Sequence, residues 1–269
     1  MLPLLYPEEI RRHLEELAFS TGERPLCAVV AGSGWGGYTE GETKGSIPFS
    51  DLHPSLRTGV SGHQGVLRFT RFPEGTVLFI EGRVHLYEGY GLPEVLLPLT
   101  FAYLLGVRIV VLTNAAGSLS PFLPPGSLLV ISDQIDWTFI PDCLSRARFD
   151  EGLQELALSC ARSCDLEATR GVYVGVLGPS FETAAEIRML GYLGGHAVGM
   201  STVKEAKWAT GLGMKVLGLS LVTNWGTGLS SSSLSHEEVL SLAERKKPIL
   251  HTFLSRLIKE ILHENRCKS

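Results

Sequence analysis

Several side chains that bind anions follow directly after an apolar run of the sequence. The segment "GRVHLYEGY" presents Arg83, His85 and Tyr87 at alternate positions, which places them on one face if the strand persists. A guanidinium suits phosphate oxygens, and an imidazole, which Glu88 could orient, can donate a further hydrogen bond. The alternative is a solvated edge strand. We predict that this segment contributes to an anion-binding site.

Two further junctions offer hydrogen bonds to an anion. "GSGWGG" follows an apolar strand, and the amides of its turn and the Ser33 hydroxyl could bind an anion. The alternative, which the sequence favours equally, is a tight turn that binds no ligand. "AVGMSTVKEA" ends a strand with Met200 and Ser201 and begins a helix at Thr202, so that a hydroxyl and free helix amides could bind an anion. The alternative is an ordinary helix cap. His63, in "SGHQG", is a lone loop histidine and by itself indicates surface.

The glycines of "GSGWGG" also match the dinucleotide fingerprint G-x-G-x-x-G, at Gly32, Gly34 and Gly37. That fingerprint requires a helix beginning at the glycines and an acidic residue at the end of the next strand. Here "YTEGETKGSIPFSDLHP" has no helical periodicity, and Asp51 lies in a polar segment near prolines. A dinucleotide-binding domain is therefore not predicted.

A second set of side chains suits a flat heterocycle. "GVLGPSFETAAEIRML" places Phe181 and Glu182 at the mouth of a helix, where a ring can stack and a carboxylate can accept hydrogen bonds. "SLVTNWGTG" ends a strand in Thr223 and Asn224, and an amide both donates and accepts. Each residue also has an alternative without a ligand. Phe181 could be a core residue, Glu182 could be an acid that the helix dipole favours, and Asn224 could pair within its own loop.

The two sets together predict a site for a phosphate and a planar ring. We call Ser33, Arg83, His85 and Ser201 the anion group, and Phe181, Glu182, Met200 and Asn224 the ring group. Between them, "VVLTNAAGSL" ends a strand in small residues that permit a ligand to approach the backbone closely.

The elements that position these groups alternate between strands and helices, which predicts an α/β fold with a largely parallel or mixed sheet. Many strand candidates are apolar on both faces, as in a sheet covered by helices. The helix candidates lie near 93–105, 182–193 and 202–212. The strand candidates are "PLCAVVAGS", "GVLRFTRF", "TVLFIEGRV", "RIVVLTNAA", "GSLLVISDQI", "GVYVGVLG", "HAVGMS" and "KVLGLSLVTN".

The segment that begins at His236 has the pattern of an amphipathic helix. Its apolar residues recur at three- and four-residue spacing from Leu250 to Ile261. We expect Pro248 to bend or interrupt the first half of this helix.

Composition and charge limit the class of protein. No linker divides the 269 residues, so a single domain over 1–269 is expected. The net charge of −4 gives no general affinity for nucleic acid. No run resembles a secretory signal or spans a membrane, and five cysteines without C-x-x-C spacing favour reduced thiols in the cytoplasm. We expect no metal.

Seven motifs, in order, resemble those of the trimeric purine nucleoside phosphorylases that prefer 6-oxopurines. They are "GSGWGG", "GRVHLYEGY", "TNAAG", "GPSFETAAE", "VGMSTVKE", "VTN" and "SHEEV". The resemblance implies a three-layer α/β/α sandwich with a mixed central β-sheet and a homotrimer. It also implies reversible phosphorolysis of purine (2′-deoxy)ribonucleosides such as inosine and guanosine, giving free base and (deoxy)ribose 1-phosphate. Orthophosphate is then a co-substrate, and no cofactor is implied.

The resemblance assigns a role to each candidate residue. It implies that Ser33, His63, Arg83, His85, the Ala115 backbone and Ser201 bind phosphate, that Tyr87, Met200 and His236 contact the ribose, and that Phe181, Glu182 and Asn224 bind the base. The implied catalytic residues are His85, oriented by Glu88, together with Glu182 and Asn224, which stabilise the departing base.

The loop after "DQIDW" departs from the family pattern because it is short. In relatives a longer loop carries a phenylalanine that covers the ribose of a neighbouring subunit, and here Phe139 or Phe149 could serve. Ser118 replaces a common glycine, Lys204 stands where a proline usually begins a helix, and Trp225 follows Asn224. These departures leave the fine substrate preference open.

Three other functions compete with this interpretation. A methylthioadenosine phosphorylase shares the fold and phosphate site but typically has Asp in place of Asn224. A nucleoside hydrolase would use water and would have no purpose for an anion group. A catalytically silent nucleoside-binding protein could use the same scaffold, but the complete set of site residues favours an enzyme.

Overall fold

We describe the protein from a computed structural model over residues 5–59, 64–230 and 236–266, in which the side chains of 236–240, 265 and 266 are not described. Its strands are β1 (Cys27–Ala31), β2 (Glu42–Pro48), β3 (Val66–Phe72), β4 (Gly75–Glu81), β5 (Ile109–Ser118), β6 (Leu128–Trp137), β7 (Ala168–Val176), β8 (Ala197–Gly199) and β9 (Lys215–Trp225). Its helices are α1 (Glu8–Thr21), α2 (Phe49–Leu52), α3 (Leu92–Leu104), α4 (Glu151–Arg162), α5 (Ala184–Tyr192), α6 (Val203–Gly211) and α7 (His236–Arg266). A 3₁₀ turn covers Leu86–Glu88.

The strands form one mixed nine-stranded sheet in the order β2-β3-β4-β1-β5-β8-β7-β6-β9. β1 lies parallel to β4 and β5, and β9 lies parallel to β5. Because β9 also pairs with β6, the strands β5, β9, β6, β7 and β8 close into a ring. The predicted mixed sheet is confirmed, and its closure is a feature that the strand patterns did not predict.

Helices cover both faces of the sheet, as the predicted α/β/α layering requires. Alternate residues of β1 belong to different cores: Ala28 and Val30 pack into one, and Val29 and Ala31 into the other. The first core includes residues of α1, α3 and α6, and the second includes residues of α4 and α7. This alternation is the period-two geometry of a strand that is buried on both sides.

Predicted and observed elements differ in one strand and in several helices. All eight predicted strands are present, whereas β2 was missed because it is exposed along most of its length and shows no apolar alternation. α1 was also missed, since only Leu14 and Ala18 of this helix are buried. α4 was not predicted either, although five of its twelve residues are buried. Pro248 was expected to bend or interrupt α7, and the interruption is wrong, because one helix continues through this residue.

The apolar stripe of α7 lies against the sheet as predicted. Its residues from Leu250 to Ile261 include Phe253 and Leu257, which are fully buried in the second core. Among the helices of the described ranges, none is long and apolar enough to cross a bilayer.

Candidate active site

The predicted site residues at the ends of several strands line one pocket. β1, β4, β5 and β9 run parallel, so their carboxyl ends lie at the same edge of the sheet. β8 runs antiparallel to β5 but pairs only with the last two residues of that strand, Gly117 and Ser118, so the residues that follow β8 remain near the same edge. The predicted site residues that line the pocket are Ser33, Arg83, His85, Tyr87, Ala115, Phe181, Glu182, Met200, Ser201 and Asn224.

The backbone of the arginine segment is not the strand that its alternation predicted. β4 ends at Glu81, Gly82 adopts a φ of 108°, and Tyr87 lies in the 3₁₀ turn. Glycine tolerates this left-handed conformation, and the chain leaves the sheet there. Arg83, His85 and Tyr87 still line the same pocket, because the turn rather than the strand brings them together.

Arg83 is buried within an ion pair. Its Nε donates to the two carboxylate oxygens of Glu205 at 3.0 and 2.9 Å, and its Nη1 donates to the Thr113 carbonyl at 3.1 Å. A Cβ at Gly32 would lie 2.6 Å from Nη1 and 2.5 Å from the Thr113 oxygen. Glycine at position 32 is therefore needed because the guanidinium packs against the turn that follows β1.

His85 is held by Glu88, the contact that the resemblance implied. The Oε2 atom of Glu88 lies 2.9 Å from Nδ1 of the ring and accepts the backbone N–H of His85 at 2.8 Å. The other carboxylate oxygen accepts the Gly59 N–H at 2.7 Å. Burial, together with the charge of Arg83, lowers the pKa of His85, while Glu88 acts in the opposite direction. The imidazole is therefore neutral near pH 7.

Ser201 is positioned by a strained turn at the start of α6. Thr202 has a φ of 73°, and the Val203 N–H donates to the Ser201 carbonyl at 2.8 Å, which makes a γ-turn with positive φ. Such a conformation costs a non-glycine residue about 1–3 kcal/mol and persists where surrounding contacts enforce it. Here Asn114 Nδ2 donates to Thr202 Oγ1 at 2.8 Å.

The expectation of free helix amides at this turn is wrong for two of them. The Thr202 N–H donates to Glu205 Oε2 at 2.9 Å, and the Val203 N–H is used by Ser201. The Ser201 hydroxyl lies 3.2 Å from the Thr202 hydroxyl. An anion at this turn would therefore meet the serine hydroxyl rather than these two amides.

The ring group is more open than the anion group. Phe181 is 46% exposed, and Glu182 is half-buried just before the Thr183 cap of α5. A cis peptide bond joins Gly178 to Pro179 before them. Burial is the main cause that raises the pKa of the Glu182 carboxyl above its ordinary value.

Asn224 already has partners among its neighbours at the end of β9, so the alternative of local pairing is correct in that respect. Its Oδ1 accepts from Thr223 Oγ1 at 2.9 Å, and its Nδ2 donates to the Trp225 carbonyl at 3.0 Å. A primary amide has two N–H donors and two acceptor lone pairs. These two contacts fix the orientation of the amide and leave it capacity for one further donated hydrogen bond.

Tyr87 and Met200 lie close to each other beside a glycine. A Cβ at Gly178 would clash with Met200 Sδ and lie 3.1 Å from Tyr87 Cδ1. The Tyr87 ring also stacks on His85, with 4.7 Å between centroids and 14° between planes. The side chains predicted for ribose and for phosphate are therefore in direct contact.

Some predicted residues are not placed by these contacts. His63 lies outside the described residues, and His236 begins α7 but its side chain is not described. Phe149 is 8% exposed and packs in the core, where a Cβ at Gly218 would lie 2.9 Å from its ring. Phe139 is 74% exposed, so the two phenylalanines left open by the sequence have different environments.

Sequence reasoning missed Glu205 and Asn114 as parts of the site. The signal for Glu205 was present, since Thr202-x-x-Glu205 is a capping-box pattern at a strand-to-helix junction. The contact of Asn114 with Thr202 joins residues 88 positions apart, and no local pattern reports it. Within the described residues, no group of three or more His, Cys, Asp or Glu side chains could hold a metal ion.

Comparison with known proteins agrees with this arrangement. Residues 28–259 match the model of the phosphorylase superfamily. Purine nucleoside phosphorylase 1 of Geobacillus stearothermophilus is 36% identical over 253 residues, covering 88% of this chain and 92% of the relative.

Two solved structures are similar over nearly the whole chain. A Schistosoma purine nucleoside phosphorylase in complex with guanosine has a TM-score of 0.81 and 30% identity, covering 93% of this chain and 96% of that one. The Schistosoma mansoni enzyme in complex with inosine has a TM-score of 0.80 and 28% identity, covering 93% and 95%. This chain therefore belongs to the phosphorylase superfamily, as one of its purine nucleoside phosphorylases.

Proposed function

We propose that this enzyme cleaves 6-oxopurine nucleosides by reversible phosphorolysis, giving a free base and (deoxy)ribose 1-phosphate. The observation that carries the proposal is the presence of the anion group and the ring group in one pocket. The complexes of the Schistosoma enzymes with guanosine, inosine and adenosine support a purine nucleoside as the substrate, and the preference for a 6-oxopurine rests on Asn224.

Orthophosphate is the ligand that we assign to the anion group. Because Glu88 accepts at Nδ1, the neutral imidazole of His85 carries its proton there and presents Nε2 as an acceptor. An acceptor suits the remaining hydroxyl of the hydrogen phosphate dianion, while Arg83 suits its charged oxygens. The proposed phosphate ligands are Ser33, His63, Arg83, His85, the Ala115 backbone and Ser201.

The sugar lies between phosphate and base in this proposal. Tyr87 and Met200 contact the ribose, and His236 contacts its 5′-hydroxyl. As the glycosidic bond lengthens, the sugar gains oxocarbenium character, and the phosphate at C1′ stabilises the positive charge before attacking this carbon. Burial raises the pKa of Tyr87 to about 12, so its hydroxyl stays neutral beside the sugar.

The ring group stabilises the departing purine. Phe181 stacks on the base, and Glu182 accepts hydrogen bonds from its ring N–H and amino groups. The second N–H of the Asn224 amide donates to N7, where negative charge develops as the bond breaks. The contacts with Thr223 and Trp225 orient the amide for that role.

We propose a cytoplasmic homotrimer in which Phe139 covers the ribose of a neighbouring subunit. Phe139 is exposed and packs edge-on against Trp137, with 4.9 Å between ring centroids. Buried Lys204 holds the segment after Phe139, since its Nζ donates to the Ile140 carbonyl at 2.7 Å and to Asp142 at 2.5 Å. This anchor gives the lysine a structural role where relatives usually have proline.

The test is to measure release of free base from inosine, guanosine, adenosine and methylthioadenosine, each with and without phosphate. We expect release from inosine and guanosine that requires phosphate and survives exhaustive treatment with a chelator. Equal release without phosphate would indicate a hydrolase. Preferential cleavage of methylthioadenosine would indicate the related phosphorylase, and no release at all would indicate a binding protein.

A further inference from the structure

Glu205 is a buried carboxylate that contacts two parts of the anion site at once. It lies in the first turn of α6 and is 4% exposed. Its two oxygens accept the Arg83 Nε–H at 3.0 and 2.9 Å, and its Oε2 also accepts the Thr202 N–H at 2.9 Å. One side chain thus joins the arginine that follows β4 to the turn that carries Ser201.

Residues of β5 contact Arg83 and the Ser201 turn from another direction. The Thr113 carbonyl accepts from Arg83 Nη1 at 3.1 Å, and the adjacent Asn114 donates to Thr202 Oγ1 at 2.8 Å. Arg83 and Thr202 are therefore each held from two directions, by consecutive residues of a central strand and by Glu205. This arrangement enforces the positive φ of Thr202, which an isolated turn would not keep.

The contacts of Glu205 point to a role exerted through its neighbours. Its oxygens accept from Arg83 and Thr202, and it lines a smaller adjoining cavity rather than the pocket that contains both groups. The negative charge of Glu205 balances the positive charge of Arg83. The hydrogen bonds to Glu205 also fix the orientation of the guanidinium, which can then present its N–H groups to phosphate in a set geometry. Bidentate or charge-assisted recognition by arginine depends on this orientation.

We propose that Glu205 is a positioning residue of the phosphate site, which fixes Arg83 and the Ser201 turn relative to each other before phosphate binds. The inference rests on the proposed function, because it takes orthophosphate as the ligand of the anion group. It adds to that function a residue that touches neither substrate but determines the affinity for one of them.

The test uses Glu205→Gln, whose amide cannot accept at both ends. One end of a glutamine side chain is an NH₂ donor, which would face either the Arg83 N–H or the Thr202 N–H. We expect the Kd for orthophosphate, measured by calorimetry, and the KM for phosphate to rise by at least about tenfold. The KM for inosine should change much less, because the ring group does not contact Glu205.

Glu81→Gln is the matched control. Glu81 is 7% exposed and forms an ion pair with Arg68, whose Nη2 lies 2.6 Å from Oε1, outside the pocket. This substitution removes the same charge from another largely buried pair, which is somewhat more exposed than Arg83 and Glu205. It should lower stability while leaving the Kd for orthophosphate unchanged, which separates positioning from general destabilisation.

Glu205→Asp keeps the charge and protects the test against a glutamine variant that does not fold. The shorter side chain cannot reach both donors, so we expect an intermediate rise in the Kd for orthophosphate. An unchanged Kd in either folded Glu205 variant, or no binding of orthophosphate to the wild type, would overturn the inference. Base release without phosphate by a wild type that still binds orthophosphate would overturn only the proposed function.

Discussion

The anion group and the ring group of the pocket are constructed in different ways. Arg83 and His85 are 4% and 8% exposed, and each is hydrogen-bonded to a carboxylate of its own. Phe181 is 46% exposed, and Asn224 forms hydrogen bonds with the adjacent Thr223 and Trp225. Arg83 in the anion site is thus braced by a long-range contact, whereas the hydrogen bonds given for Asn224 in the ring site are local.

This difference matches the chemistry of the two proposed ligands. Transfer of phosphate from water to protein requires donors that are already oriented, because any reorganisation would reduce the electrostatic stabilisation. A purine gains much of its affinity from contact with an aromatic face and from a few hydrogen bonds, which an open surface can provide. Substitutions in the anion group should therefore reduce stability, and substitutions in the ring group should reduce catalysis alone.

Arg83→Met should give the largest effect. Removing one partner of a buried ion pair leaves Glu205 as an uncompensated charge, which costs about 3–5 kcal/mol. Urea denaturation at pH 7 should show a fall of about that size in the free energy of unfolding. Arg83→Met with Glu205→Gln should recover much of this loss, because the buried charge is gone. A single variant as stable as the wild type would contradict the braced description of the anion site.

Glu182→Ala should act on catalysis without changing stability. Removal of a preorganised polar contact to the leaving base should lower kcat/KM for inosine by roughly 10²-fold or more. Denaturation should coincide with that of the wild type, since Glu182 has none of the long-range braces of Arg83. Near-normal kcat/KM in the folded variant would contradict this role and would indicate that Glu182 only interacts with the dipole of α5.

The pH dependence of kcat/KM offers a second test of Glu182. Burial raises the pKa of this carboxyl, so it becomes protonated at a higher pH than an ordinary glutamate as the solution is acidified. Since the ionised form accepts the hydrogen bonds of the base, activity should fall as the pH drops through the raised pKa. In Glu182→Gln that acid limb should disappear from the profile of the residual activity. An unchanged limb would assign it to another group, such as His85.

Asn224→Asp should change the choice of substrate by a smaller amount. The carboxylate loses the donor to N7 and repels the oxygen at C6, while a 6-amino group gains an acceptor. A mismatched polar contact costs about 1–3 kcal/mol, so the ratio of inosine to adenosine kcat/KM should fall by at least roughly tenfold. The ratio is measured at saturating phosphate, with folding checked by circular dichroism. A ratio that stays constant or rises would assign selectivity elsewhere, for example to Glu182 or Trp225.

The same contrast explains what the sequence could and could not predict. Buried strands such as β1 and β5 have continuous apolar runs, and residues at their ends were recognisable by type and position. The brace between Arg83 and Glu205 joins residues 122 positions apart, so periodicity contains no signal for it. The closure of the sheet likewise depends on the pairing of β9 with β6, and an apolar run does not specify its neighbour.

Lys204, one of the departures from the family pattern, acquired an explanation only from tertiary contacts. Lys204 reads as a change of residue at the start of a helix, but its ammonium group reaches Asp136 at 2.8 Å as well as Asp142. Lys207 contacts the same two carboxylates. This buried cluster fixes the short segment after β6, which leaves Phe139 at the surface.

Phe139→Ala should have the smallest effect and tests whether a second subunit covers the ribose in the pocket. An aromatic contact contributes about 0.5–1.5 kcal/mol beyond its buried area, so the KM for inosine should rise roughly two- to tenfold at saturating phosphate. Stability should be unchanged, because the side chain is 74% exposed. Phe122→Ala, at a residue that is 89% exposed, is the control for loss of a surface ring and should leave KM unchanged.

Phe149→Ala is a second control, which shows the effect of removing a phenylalanine from the core rather than from the surface. Its ring is buried in the core, so truncation should cost about 3–5 kcal/mol of stability without a specific change in KM. Sedimentation must show that the Phe139 variant keeps the oligomeric state of the wild type, since dissociation would itself raise KM. If KM is unchanged in a variant with that state, Phe139 does not cover a neighbouring site, and the open ring group binds the nucleoside with the residues of its own chain.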